Sequence, residues 1–95
     1  LPRLRQVTTN PGLCDQLVRS ATSVGAMLSE AREPESRRDL IHKFRIALKE
    51  ARETEYWLEL LSSSDYPPIS EVIEARGLNN ELIAMLIASL KTLQR

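Results

Sequence analysis

Cysteine and histidine occur once each in this 95-residue chain, as Cys14 and His42. A single cysteine excludes an intramolecular disulfide framework. One histidine beside one cysteine cannot complete a four-ligand zinc site within one chain. Aromatic residues make up only 4% of the sequence: Phe44, Tyr56, Trp57 and Tyr66. The core must therefore come from Leu, Ile, Val and Ala, which suits helix-on-helix packing. Neither sign of charge is in excess. Thirteen Lys and Arg balance thirteen Asp and Glu, which excludes a strongly basic nucleic-acid binder and an acidic tail at the level of the whole chain. Long apolar runs are missing too. The longest, Leu82 to Ala88, falls well short of the roughly 18 residues a membrane span requires. The first ten residues are polar and basic, unlike a cleavable signal peptide. These absences predict one cytoplasmic domain over residues 1–95, with no membrane partner.

What is present is helical periodicity. Residues 1–10 read as a loose arm. Asn10-Pro11 then reads as an N-cap followed by a first helical residue, where the missing proline N–H costs nothing. Leu13, Leu17, Ala21, Val24, Leu28 and Ala31 step by four and three, predicting a helix over 11–32. Ala21, Gly25 and Ser29 sit four apart, a row of small side chains that would admit a close neighbouring helix. Pro34 marks a turn, and Ser36 with Asp39 resembles a capping box. The second helix is expected over 36–62. Its row Leu40, Phe44, Ala47, Ala51, Thr54, Leu58 and Leu61 is a bundle seam. Ile46, Trp57 and Leu60 form a second apolar flank, so this helix should touch more than one neighbour. A third helix is expected over 70–94, with a kink or break at 77–80. From Leu82 to Leu90 its only polar side chain is Ser89, which predicts burial nearly all round. Three helices in one 95-residue chain cannot supply that, so the pattern points to oligomerisation or to further helical material. A turn of a few residues makes the first two helices antiparallel neighbours.

Few residues suggest chemistry. Glu50 and Glu53 lie one turn apart, but the Glu-x-x-His pairing of di-iron bundles is missing. They read instead as ion-pair partners for a cation on a neighbouring helix or subunit, Arg19 being a candidate. Cys14, in the first turn of its helix, reads as a small buried residue rather than a nucleophile. No phosphate-binding glycine loop or serine-nucleophile motif occurs. Arg38, His42, Arg45, Lys49 and Arg52 step by four and three along the second helix, opposite its seam. Such a row can follow a phosphate backbone or be a solvated face. Acids on the same helix and the zero net charge argue against tight nucleic-acid binding at physiological salt. Assigned to the ends of an antiparallel arrangement, the charges favour base at the first turn's end and acid at the other.

The stretch Gln16-Leu17-Val18-Arg19-Ser20-Ala21-Thr22-Ser23-Val24-Gly25-Ala26, and the whole of Leu40 to Leu58, resemble the four helix bundle protein family, also called the intervening-sequence or S23 family. Some of its members are encoded in insertions within bacterial large-subunit ribosomal RNA genes. The resemblance covers about residues 13–93. It implies an all-α antiparallel four-helix bundle assembling as a homopentameric ring, with no enzymatic activity and, for most members, no known function. A related branch, the accessory proteins of diversity-generating retroelements, comprises strongly basic pentamers that bind a reverse transcriptase and nucleic acid. Two departures stand out. Only ten residues precede the first expected helix, so the family's first helix is short or missing here. Met27 stands where the family usually has Asn.

The expectation is thus a non-enzymatic, oligomeric structural or interaction protein without cofactor, metal or small-molecule substrate. Its first partner is itself. Ala21, Gly25, Ile46, Glu50, Glu53, Trp57 and Leu60 are the expected helix–helix or subunit interface. The alternative is a nucleic-acid-associated accessory protein that uses the basic face.

Overall fold

A computed structural model describes residues 11–62 and 70–95. Among the described residues the chain is all-α, with helices α1 (Pro11–Glu30), α2 (Arg37–Ser62) and α3 (Ser70–Leu93) and no strand. The arm expected over residues 1–10 and the linker at 63–69 lie outside the described residues.

Local chemistry sets the helix ends. The Arg32 and Glu33 N–H groups reach back three residues, to the Ser29 and Glu30 carbonyls, both at 3.3 Å. The last turn of α1 thereby tightens just before Pro34, and the regular helix stops at Glu30 rather than at residue 32. At the start of α2 the Ser36 hydroxyl accepts the Asp39 N–H at 3.0 Å. The Asp39 carboxylate accepts the Glu35 N–H at 3.1 Å. The return arm of the box therefore engages the residue before the cap. One donor of the helix start, the Asp39 N–H, which has no partner within the helix, is satisfied in this way, together with the N–H of the residue before the cap. At the far end of α3, Arg37 Nε donates to the Leu93 carbonyl at 3.0 Å, a cation placed where the helix dipole favours one.

Both neighbours of α2 run antiparallel to it. Arg19 pairs with Glu53, Ser20 with Thr54 and Glu30 with Lys43, so positions rise on α1 as they fall on α2. Ala51 meets Asn79 and Arg37 meets Leu93 in the same sense. The core is two apolar clusters. One gathers Cys14, Leu17, Leu58, Leu61 and Val72, with Trp57 packed against it. The other gathers Val24, Ala51 and Ile83. By position on all three helices, a polar layer lies between them. Thr54 Oγ1 is 2.8 Å from Ser20 Oγ and 2.9 Å from the Glu50 carbonyl. Ser20 Oγ is 3.2 Å from the Leu17 carbonyl. Asn79 Nδ2 donates to the Ala51 carbonyl at 2.9 Å.

Of the kink or break expected at 77–80, the break does not occur: the helix over Ser70–Leu93 is one uninterrupted element. No side chain crowds Gly77, since a Cβ there would meet nothing within 4 Å, and Asn79 ties the next turn to α2. As expected of three helices alone, the described residues do not bury Leu82 to Leu90 all round. Ile83, Leu86 and Leu90 face the core, while Ala84, Met85 and Ala88 are exposed. Among the described residues only α2 packs along α3 to any extent.

Candidate functional site

Two surfaces lie on opposite sides of α2, and a third cluster lies on the flank between α1 and α2. The first surface is an open apolar groove of about 550 Å³ between α1 and α3. Leu17, Val24 and Leu58 contribute to its floor, and Val18, Leu78 and Leu82 to its sides. Leu78 is 61% exposed, and Met85, two turns further on, is 65% exposed. These are large values for apolar side chains that line up along one helix.

Ala21 lines this groove, and Gly25 continues its row one turn on. Both are exposed, as is Ser29. A Cβ built on Gly25 would meet nothing within 4 Å. Among the described residues no helix therefore approaches Ala21 and Gly25 closely. The reason is a small roll of α1: fully buried Ser20, not Ala21, points at α2, where Thr54 partners its hydroxyl. A polar residue inside an apolar seam needs a partner. Thr54 in the second helix's row was the available signal, and its partner sits one residue off the apolar row of the first helix.

The second surface is the back of α2. Arg38, His42, Arg45, Lys49 and Arg52 are all exposed there. None of them makes an ion pair among the described residues. Tyr56, 53% exposed, continues the row.

The third cluster is Arg19 with Glu50, Glu53 and Trp57. Arg19 bridges both acids, with Nη1 to Glu50 at 3.4 Å and Nη2 in direct contact with Glu53. Gln16 Oε1 accepts from Arg19 Nε at 3.1 Å, and Trp57 Nε1 donates to Glu53 at 3.2 Å. The bond from Arg19, then that from the indole, holds the Glu53 carboxyl below its ordinary range. Ile46 and Trp57 are half-buried, and Leu60 is exposed. Cys14 is buried in the first apolar cluster. Among the described residues no group of three or more His, Cys, Asp or Glu side chains comes together as a metal site would require. No described helix is long and apolar enough to cross a membrane.

One known family matches over most of the chain. The sequence profile of the 23S rRNA-intervening sequence proteins matches residues 4–88. The chain belongs to that family. A crystal structure of an S23 ribosomal protein family member from Bacteroides thetaiotaomicron, itself of unknown function, is 43% identical, with a TM-score of 0.76. The similarity covers 83% of this chain and 73% of that one. No curated protein matches. Family membership accounts for the helical fold and assigns no activity.

Proposed function

We propose that this chain is the protomer of a homo-oligomer, a pentameric ring of four-helix-bundle type, and that it serves as a cytoplasmic structural or interaction protein rather than an enzyme. The observation that carries this reading is the apolar groove between α1 and α3, together with exposed Leu78 and Met85. Among the described residues, the layer of α1 and α3 on α2 does not fill a fourth bundle position, and water-exposed apolar surface of this kind marks an interaction site. The small side chains of Ala21, Gly25 and Ser29 border that position and would let a helix settle close. The functional side chains in this reading are the ones that fit helices together. Arg19, Glu50 and Glu53 serve packing and orientation.

Light scattering on the intact chain at about 10 μM tests the assembly, since a subunit equilibrium depends on concentration. A multimeric mass is expected, five subunits on the proposed ring, and a monomer mass overturns the reading. Gly25→Leu supplies the second arm. With the groove filled, the added side chain overpacks and costs roughly 1–3 kcal/mol. With the groove open to water, leucine is the better helix former and the change is neutral or stabilising.

A further inference from the structure

The acids of α2 do not neutralise its basic row. Read along the sequence, Asp39, Glu50, Glu53, Glu55 and Glu59 share a helix with Arg38, Arg45, Lys49 and Arg52. In the fold they are drawn elsewhere. Asp39 takes Lys43 at 3.0 Å, and Glu50 and Glu53 take Arg19 from α1. Glu55 is half-buried, and Glu59 lies beyond Tyr56. From residue 38 to residue 52 the crest carries cations and His42 with no acid among them. With α1 and α3 both seated on the other side, the crest is the outermost line of the molecule there. It runs about 21 Å at 1.5 Å per residue. A shallow depression bordered by Arg37, Arg38, His42 and Arg45 opens at its N-terminal end.

We propose that this crest docks on duplex DNA through the phosphate backbone. Several features favour that partner. Protein–protein interfaces are depleted of charge at their centre, and this crest is charged at its centre, with its apolar neighbours Ile41 and Leu60 off to the sides. Interfaces with DNA are instead strongly positive. An unobstructed helix of ~10–12 Å diameter fits the ~12 Å major groove of B-form DNA, whereas the major groove of duplex RNA is too narrow to admit side chains. Single strands are held by stacking on several aromatics, and the crest offers Tyr56 alone. No Asn or Gln lies on it to read adenine. The zero net charge of the chain provides no long-range attraction, so binding is confined to low salt and micromolar affinity.

Fluorescence anisotropy with a labelled duplex of about 24 base pairs, in about 50 mM salt, tests this directly. Saturable binding is expected. Four phosphate contacts predict a log–log salt slope near −3.6, so a rise to about 200 mM weakens binding roughly 100-fold. Arg45→Glu/Lys49→Glu should abolish binding with an unchanged helical melt, and Arg32→Glu, which lines a separate depression with Lys43, should retain it. Should the first double variant not fold, Arg38→Gln/Arg52→Gln should roughly halve the slope. No saturable binding at low salt overturns the proposal, as does binding indifferent to the crest variants. Tighter binding of a single strand or duplex RNA overturns the choice of duplex DNA. Displacement by polyglutamate at matched charge as effective as by unlabelled duplex overturns it in favour of an acidic protein.

Discussion

Glu53 accepts from both the Arg19 guanidinium and the Trp57 indole, and Asp39 accepts from the Glu35 N–H and from Lys43. Both carboxyls are held below their ordinary values, Glu53 first by Arg19 and Asp39 first by the Glu35 N–H. A depressed carboxyl contributes its stability above the unfolded-state value, near 4 for these residue types, and loses it as pH falls through the folded-state value. Stability of the wild type should accordingly fall as the medium is acidified below about pH 4. Arg19→Met should make that fall shallower and move the Glu53 titration upward in carboxyl-detected NMR. An unmoved Glu53 titration would show that Arg19 is not its partner in solution. Ser20 and Thr54 offer a second measurement. Their hydroxyls satisfy each other and two carbonyls inside the core. Thr54→Val alone should cost about 0.5–1.5 kcal/mol by urea denaturation. Adding Ser20→Ala should cost less than the sum of the two single changes, because the partners then vanish together. Strict additivity would deny the coupling.

At the scale of the helix, Ser36 is the feature that fixes where α2 begins. Its hydroxyl serves the Asp39 N–H, and Ser36→Ala should cost about 1 kcal/mol of stability. Circular dichroism melts would show it, and Ser36→Asp should largely restore the loss. This start was legible in the sequence because a cap is a local device, decided by residues three apart. The seam of α2 was legible for the same kind of reason, and Ala47, Ala51, Thr54, Leu58 and Leu61 are all buried. Helix rotation is a different matter. Apolar spacing places the core stripe of α1 only to within a residue, and the Ser20–Thr54 contact decides for Ser20 over Ala21. The unbroken course of α3 through Gly77 was hidden likewise. Beside it Asn79 reaches a carbonyl 28 positions away, a contact no local rule signals. Leu82 to Leu90 is apolar over more of its surface than the described helices cover, and what covers the rest is not decided by spacing within one helix.

For the whole molecule, the proposed filling of the apolar groove by another copy would tie folding to assembly. The apparent melting temperature should rise with protein concentration over a range of about 1 to 100 μM, and differential scanning fluorimetry at several dilutions would show it. A constant melting temperature would mean that the groove stays open. Of the candidate surfaces, the basic row could be read directly from its step of four and three. The groove could not, because it is made by two helices that are not adjacent in the sequence. The fate of the acids was equally hidden, as charge pairing between helices follows their rotation. The arrangement of the three helices also bears on kinetics. The principal contacts join α1 to α2 and α2 to α3, each pair neighbouring in the chain. Contacts so local leave little loop-closure entropy to overcome before they form, which places folding of the single chain in the microsecond-to-millisecond range. Since α2 is common to both hairpins, either can form first and template the other, and a change that slows one leaves a parallel route open.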